Sequence, residues 1–269
     1  MTVVSERSGP VPPVIELLGR RIHAIDESEC VRRIAEALGH GRGGWVVTPN
    51  LDHLRRLVSD ASFARVCDGA TLTVADGRPL VWASKLRGTP LPGVVAGSTL
   101  VTSLSAARAR AARRAFYLGG DPGTAEETAR RLSSLHPGLV TAGVECPAVG
   151  FERDEAVFAK LRATLIEARP DVVWVALGSP KQEHVIERLR DALPRAWWLG
   201  IGISFSFVSG DVKRAPRWMQ RTGLEWVHRL AQEPRRLARR YLVDGLPFAA
   251  RLLTRSAVER FRRRGGDQT

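Results

Sequence analysis

The pair Asp76-Gly77 ends a β-rich run at residues 71–75, and Asp76 is the candidate general base of this sequence. A carboxylate at a strand end, followed by glycine, can project into a cleft and accept the proton of a hydroxyl group. The alternative is that Asp76 caps a helix over residues 79–86, which is the commoner use of Asp at such a position. The residue types alone leave both interpretations open.

A glycine-rich turn, Gly119-Gly120-Asp121-Pro122-Gly123, follows the apolar run at residues 115–118. Glycines let a backbone approach an anion closely, and the free N–H groups of the next helix favour negative charge, so this turn is a candidate phosphate cradle. Its spacing matches neither the dinucleotide-binding nor the P-loop fingerprint. A tight strand–helix turn explains Gly119 and Gly120 equally well.

Two further turns place polar side chains directly after apolar runs. Thr48 and Asn50 flank Pro49 after the run at residues 45–47, and Lys181 and Gln182 follow the run at residues 171–177. Lys181 and Gln182 are either ligand contacts or a surface pair in the first turn of a helix. These residues matter only if the fold brings their turns together.

Alternating β-rich and helical patterns predict that arrangement. Strands are expected at residues 45–49, 71–75, 115–118, 138–144, 171–177 and 196–202, with helices at 122–135, 154–168 and 180–193. Strands that alternate with helices indicate βαβ units, so we predict an α/β fold with a Rossmann-like, doubly wound, mostly parallel sheet. Ligands bind beyond the carboxyl ends of such strands, and the four turns are therefore expected to form one pocket.

The net charge of +13 is concentrated at one end of the chain. Residues 213–269 carry 15 Lys/Arg against 5 Asp/Glu, and the preceding 212 residues carry 26 against 23. We divide the chain into a flexible tail without signal-peptide features (1–13), an α/β catalytic body (14–212) and a basic helical appendage (213–269). The charge of the appendage predicts an anionic partner, such as phospholipid headgroups, phosphates or nucleic acid.

The sequence offers little support for a metal centre or a disulfide. Cys30, Cys67 and Cys146 are far apart and form no Cys-x-x-Cys or Cys/His cluster, so they are expected to be reduced, small buried side chains. The six histidines do not cluster, and Asp-x-Asp is absent from the sequence. That absence argues against a transferase that holds a nucleotide diphosphate through a carboxylate-bound divalent cation. We therefore predict no metal and no cofactor.

Taken together, the turns resemble the WecG/TagA/CpsF family of bacterial glycosyltransferases over residues 15–245. The matching segments, in order, are Thr48-Pro49-Asn50, Ala75-Asp76-Gly77, Tyr117 to Gly123, Gly178-Ser179-Pro180-Lys181-Gln182-Glu183, Lys213-Arg214-Ala215-Pro216, Gly223-Leu224-Glu225-Trp226, Arg229 and Glu233-Pro234-x-Arg236. Each motif alone is weak evidence of the resemblance, but the succession of all of them in this order is quite specific to the family.

This resemblance implies transfer of a hexose-type sugar, N-acetylmannosamine-like or related, from a UDP donor to a polyprenyl-diphosphate-linked sugar. It implies an inverting, metal-independent reaction at the inner face of the cell membrane, in teichoic-acid-type or exopolysaccharide synthesis. The base of the family maps onto Asp76, and its conserved polar contacts map onto Thr48, Asn50 and Gln182. Cations of the appendage are expected to meet the diphosphates, with these candidates: Arg214, Arg221, Arg229, Arg236 and Arg240. A solvated face that follows a headgroup surface is the alternative for these arginines.

Three positions depart from the family pattern. Val94 stands where the family usually has arginine, Ser206 where it has aspartate, and Ile203 where it has glycine. The change at Val94 removes a cation expected beside the substrate, for which Lys85, Arg87 or Lys181 could compensate. The pocket, and hence the donor sugar, is expected to differ from that of other members.

Two rival interpretations stay open at this point. A basic nucleic-acid-binding protein would explain the appendage but leaves the strand-end turns unexplained. A Rossmann-like methyltransferase or dehydrogenase would explain the fold, although the glycine fingerprint and the acidic ribose partner are missing. We favour the transferase, peripheral at the membrane, without nucleic acid, and with self-association into a homo-oligomer left open.

Overall fold

The computed structural model describes residues 11–108 and 113–266, so most of the predicted N-terminal tail lies outside the described residues. The first element is an antiparallel hairpin of β1 (Val14–Leu17) and β2 (Arg20–His23). Leu18 and Gly19 join the strands, with φ angles of 51° and 76°. Positive φ at both turn residues matches the twist of a two-residue hairpin. The sequence analysis did not predict this hairpin.

A six-stranded parallel sheet forms the centre of the molecule. Its strands are β3 (Gly44–Val47), β4 (Leu72–Thr73), β5 (Arg114–Gly119), β6 (Val140–Glu145), β7 (Val172–Ala176) and β8 (Trp197–Gly200). They lie in the order β4-β3-β8-β7-β5-β6, and every neighbouring pair is parallel. The predicted α/β, Rossmann-like class is confirmed.

Helices cover both faces of this sheet. They are α1 (Glu27–Gly39), α2 (Leu51–Ser59), α3 (Ala61–Asp68), α4 (Arg78–Arg87), α5 (Gly97–Arg108), α6 (Thr124–Leu135), α7 (Glu155–Ala168), α8 (Lys181–Arg190) and α9 (Ser204–Ser209). Tyr117 and Trp174 point into a core with α1, α5 and α6, whereas Phe116 and Trp198 point into the opposite core with α3, α7 and α8. Because alternate strand residues fill the two cores, the sheet is doubly wound as predicted.

Three strands end two residues earlier than their sequence patterns predicted. The runs at residues 45–49, 71–75 and 196–202 form strands only at Gly44–Val47, Leu72–Thr73 and Trp197–Gly200. Pro49 has no backbone N–H for the strand ladder, and its carbonyl oxygen instead accepts the Asp76 N–H at 2.9 Å. The shortened strands leave Thr48, Asn50 and Asp76 in loops at the carboxyl edge of the sheet.

The C-terminal part is helical, as expected from its apolar and arginine pattern. It comprises α10 (Arg217–Thr222), α11 (Glu225–Gln232), α12 (Pro234–Ala238), a π-helix (Arg239–Gly245) and α13 (Leu246–Gly266). Phe248 and Leu252 of α13 are buried in a third core with Leu80 of α4 and Leu17 of the hairpin. The domain boundary near residue 212 stays a prediction. In the described part of the chain, no helix has both the length and the apolar character needed to cross a bilayer.

Candidate active site

A cleft of about 1090 Å³ lies at the carboxyl ends of the strands. Turns after β3, β4, β5, β7 and β8 contribute to its floor, and residues of α10, α11 and the helices that follow form its outer wall. The structure brings these predicted residues to the cleft surface: Thr48, Asn50, Asp76, Gly120, Lys181, Gln182, Arg214, Arg221, Arg229, Arg236 and Arg240. Gly119 is the one predicted site residue that does not line it.

Backbone hydrogen bonds to two neighbouring segments hold the chain in place around Asp76. Its N–H donates to Pro49 O at 2.9 Å, and the Val95 N–H donates to Ala75 O at 2.8 Å. Gly77 follows with a φ of 113°, which non-glycine residues rarely adopt. Gly77, not Asp76, is the N-cap of α4, and the cap makes no side-chain hydrogen bond. The alternative in which Asp76 caps this helix is therefore wrong.

The pKa of the Asp76 carboxyl is raised from 3.8 to about 7. Burial among protein atoms is the largest cause, and repulsion from Glu225 adds to it; Arg214 and Arg229 act in the opposite direction. The accessible part of the side chain faces the cleft rather than bulk solvent. A carboxyl group with a pKa near neutrality is well matched to general base catalysis at neutral pH.

Thr48 and Asn50 extend the floor beside Asp76. Asn50 is the N-cap of α2, where its Oδ1 accepts the His53 N–H at 3.0 Å. This bond fixes the side chain at the start of α2. A Cβ added to Gly97 would lie 3.5 Å from Thr48 Oγ1, so the start of α5 approaches Thr48 closely.

Gln182 is buried, and both ends of its amide are bound within the protein. Its Oε1 accepts the Gly202 N–H at 3.1 Å, and its Nε2 donates to Glu183 Oε1 at 2.8 Å. Glu183 Oε1 in turn lies 3.8 Å from His53 Nε2. Burial raises the pKa of Glu183 and lowers that of His53 to about 4, which favours the uncharged form of each group. Gln182 thus ties α8 to the loop after β8; a direct substrate contact stays a prediction.

In the glycine-rich turn, the local packing leaves no room for a side chain at Gly119 or Gly120. A Cβ on Gly119 would lie 2.6 Å from a Leu177 methyl group, and one on Gly120 would lie 2.5 Å from Thr124 Oγ1. Both glycines also have positive φ angles. Only Gly120 and Asp121 of the turn face the cleft. That this turn binds phosphate stays a prediction. The Asp121 carboxylate, which faces the cleft, would repel a phosphate bound there.

The positions that depart from the family pattern also face the cleft. Val94 is half-buried there, and Ile203 and Ser206 line the same cleft. Arg87 does not replace the missing cation, because its guanidinium is directed to Glu259 and to the Glu16 carbonyl, away from the cleft. Lys85 does not line the cleft either, whereas Lys181 does and lies 3.5 Å from Glu152.

Sequence reasoning missed Arg78, His53 and Glu225 as residues of the site. Arg78 follows Asp76 by two positions and lines the cleft, which its place in the sequence could have indicated. Glu225 was noted only as part of a motif, although it acts directly on the pKa of Asp76. Among the described residues, no three His, Cys, Asp or Glu side chains are grouped to hold a metal ion.

A doubly wound sheet with a half-buried carboxylate and several arginines in a cleft at its carboxyl edge is typical of an α/β enzyme. The family model described as glycosyl transferase WecG/TagA/CpsF matches residues 15–263, and the chain belongs to that family. It is therefore a glycosyltransferase, not a methyltransferase or a dehydrogenase.

Two curated relatives carry the same name, N-acetylglucosaminyldiphosphoundecaprenol N-acetyl-beta-D-mannosaminyltransferase. The protein of Bacillus spizizenii strain W23 is 35% identical over 202 residues, which cover 75% of this chain and 76% of the relative. The protein of Bacillus subtilis strain 168 is 32% identical over 197 residues, covering 73% of this chain and 75% of the relative.

Proposed function

We propose that this chain transfers a hexose-type sugar from a UDP donor to a sugar linked to polyprenyl diphosphate. The two Bacillus relatives are named for transfer of N-acetylmannosamine to N-acetylglucosaminyl-diphosphoundecaprenol, which supports both the donor sugar class and the acceptor class. The observation that carries the proposal is Asp76, a carboxyl group with a pKa of about 7 in a cleft rich in arginine. Val94, Ile203 and Ser206 are the cleft residues at which the donor preference would differ from that of other members.

Asp76 acts as the general base of a single displacement. The acceptor hydroxyl oxygen forms a bond to the anomeric carbon of the donor while the bond between that carbon and UDP breaks on the opposite side. The hydroxyl proton moves to the Asp76 carboxylate, and the electron pair of the broken bond leaves with UDP. Attack from the face opposite the leaving group inverts the anomeric configuration.

Protein cations offset the negative charge that grows on the leaving diphosphate. Arg229 lies in the same cleft as Asp76 and forms no ion pair among the described residues, and a fixed cation stabilises a developing charge without reorganisation. The N-terminus of α4 has no side-chain cap, so the N–H groups of its first turn, apart from Pro79, which has none, are available beside Asp76. We therefore propose a reaction that needs no divalent cation.

The C-terminal helices also hold the enzyme peripherally at an anionic membrane surface. Trp218, Val243 and Phe261 are 59%, 64% and 72% exposed, and exposed arginines such as Arg251 and Arg255 lie on the same helical segment of the chain. Each basic residue near such a surface contributes about 1 kcal/mol to binding. This placement would bring the cleft to a lipid-linked acceptor.

A transfer assay tests the proposal directly. Purified protein is mixed with a panel of UDP-sugars and with N-acetylglucosaminyl-diphosphoundecaprenol in vesicles, and the product is identified by mass spectrometry and NMR. We expect one UDP-sugar to give a glycosylated lipid of inverted configuration, with undiminished turnover in excess EDTA. No transfer from any UDP-sugar would contradict the proposed donor, and full inhibition by EDTA would contradict the metal-independent step.

A further inference from the structure

Seven lysine and arginine side chains of the described residues line the cleft, and four of them already face a carboxylate. The pairs are Lys181–Glu152 at 3.5 Å, Arg214–Glu225 at 3.5 Å, Arg236–Glu233 at 2.5 Å and Arg240–Asp52 at 3.0 Å. In the described part of the chain, Arg78, Arg221 and Arg229 form no ion pair. A cation that forms no ion pair is the most available to bind an anionic ligand.

Arg78 is the unpaired cation of the α/β body that lies nearest to Asp76 in the chain. It is the first residue of α4, is half-buried and lines the cleft. Its Nε is buried and has no hydrogen-bond partner among the described residues. A buried guanidinium nitrogen without a partner is unfavourable unless a ligand supplies the acceptor.

The outward face of α4 continues from Arg78 to an aromatic side chain. Leu80, Val81 and Ala83 are buried on the inner face, whereas Trp82 is 42% exposed and also lines the cleft. Trp82 lies one helical turn after Arg78, which is about 6 Å along the axis. Along the chain from Asp76, this face of α4 therefore presents a cation first and an apolar ring next.

The turn between α10 and α11 packs against the same face of α4, at the edge of the path from Arg78 to Trp82, which we call the passage. A Cβ on Gly223 would lie 2.9 Å from Arg78 Cβ and 2.9 Å from Trp82 Cη2. Glycine, with a φ of 77°, is therefore the residue that allows this turn to lie directly against α4. Arg221, two residues before Gly223, also lines the cleft and is a second cation without an ion pair.

We propose that the diphosphate of the lipid-linked acceptor binds Arg78, and that its first isoprene units leave the cleft across Trp82. This inference rests on the proposed function. In such an acceptor the attacking hydroxyl, the diphosphate and the isoprenoid follow one another, and Asp76, Arg78 and Trp82 offer a base, a cation and an apolar ring in that order. The guanidinium forms charge-assisted hydrogen bonds to phosphate oxygens, and the ring covers hydrocarbon that would otherwise meet water.

Two matched pairs of variants test this passage. Lys85→Gln is the control for Arg78→Gln, and Leu86→Ala, at a side chain 40% exposed, is the control for Trp82→Ala, because both control residues lie on α4 outside the cleft. Steady-state kinetics use N-acetylglucosaminyl diphosphate attached either to a long isoprenoid or to a short alkyl chain. Thermal unfolding verifies that all four variants fold.

Arg78→Gln is expected to raise KM at least tenfold for both acceptors and to leave the Kd of UDP unchanged. Trp82→Ala is expected to raise KM about fivefold or more for the isoprenoid acceptor alone, while both controls stay within twofold of wild type. Unchanged KM values would overturn the proposal. A loss of UDP affinity in Arg78→Gln would also overturn it, because Arg78 would then bind the donor diphosphate.

Direct binding separates this inference from the proposed function. Calorimetry with farnesyl diphosphate needs no turnover, and the wild-type protein should bind it at least tenfold more tightly than Arg78→Gln does. If the wild-type protein binds in this way but transfers no sugar, only the proposed function fails. If farnesyl diphosphate does not bind, or binds both proteins equally, the passage along α4 is wrong even if transfer is observed.

Discussion

Asp76, the proposed base, is the residue at which catalysis and folding stability would oppose each other. Its carboxylate is surrounded by protein atoms and faces the like charge of Glu225, so the ionised form is disfavoured in the folded state. Ordinary carboxylates in folded proteins are ionised well below neutral pH. The energetic disadvantage is what leaves this group basic enough to accept a proton.

Replacing Asp76 by asparagine should therefore stabilise the protein at alkaline pH. The folded-state pKa of about 7 lies above the ordinary value of 3.8, so the stability of the wild-type protein falls as pH rises from about 4 to about 7. We expect Asp76→Asn to be more stable by on the order of 3 kcal/mol at pH 8. Urea unfolding at pH 8 and pH 5 measures this. If the gain in stability of Asp76→Asn were as large at pH 5 as at pH 8, the ionisation of Asp76 would not be its cause.

The same pKa predicts the pH dependence of the reaction. Because only the ionised carboxylate accepts a proton, kcat/KM should rise with pH through an apparent pKa of about 7 and level off above it. The profile is measured with saturating UDP-sugar and limiting acceptor. A profile that is flat from pH 5.5 to pH 8.5 would mean that Asp76 is fully ionised throughout, contrary to its surroundings.

At the scale of elements, α11 and the segment before α10 complete a cleft whose proposed base lies in the α/β body. Glu225 raises the pKa of Asp76, whereas Arg214 and Arg229 lower it. Glu225 is the first residue of α11, and Arg229 follows on the next turn of the same helix. The C-terminal helices thus supply charge to the reaction centre as well as surface to the outer wall.

Single substitutions in α11 should move the pH profile in opposite directions. Glu225→Gln removes a repulsion, so the apparent pKa of kcat/KM should fall by roughly half a unit; Arg229→Gln removes an attraction and should raise it by a similar amount. Glu187→Gln and Arg162→Gln, on exposed faces of α8 and α7, are the charge-matched controls. If both α11 variants leave the profile in place, α11 does not lie beside Asp76 in the working enzyme.

The alternation of strands and helices made the parallel sheet predictable, and with it the convergence of Thr48, Asp76 and Gln182 at one edge. These features depend on local patterns and on a general rule of α/β folds. The contacts of Glu225 and Arg229 with the site depend on packing between segments far apart in the chain, which no local pattern specifies. The burial of Phe248 and Leu252 against α4 could not be predicted for the same reason.

At the scale of the whole molecule, charge and exposed apolar surface lie together on the C-terminal helices. Trp218, Val243 and Phe261 would contact lipid, and the arginines of α13 would meet anionic headgroups. Deleting this region is a poor test of that role, because α13 also fills the core beside Leu80. Substitution of exposed arginines leaves that core intact.

We therefore expect the triple variant Arg251→Gln, Arg255→Gln, Arg262→Gln to lose membrane affinity and keep its fold. At about 1 kcal/mol for each basic residue, binding to vesicles rich in anionic lipid should weaken by roughly 100-fold at low salt. Vesicle sedimentation measures it. The control removes the same number of exposed cations from the body: Arg153, Lys160 and Arg162. Equal losses in the two variants would mean that net charge, rather than this surface, controls binding.

The central claim is that Asp76 is the base of a glycosyl transfer, and turnover by the near-isosteric Asp76→Asn variant tests it most directly. Transfer from the preferred UDP-sugar to the lipid-linked acceptor is compared for the two proteins at pH 8, with the Kd of UDP measured in parallel. We predict that the variant binds UDP as the wild-type protein does and that its kcat falls by at least about 100-fold, as expected for the loss of a general base. Turnover within a few-fold of wild type would contradict the account.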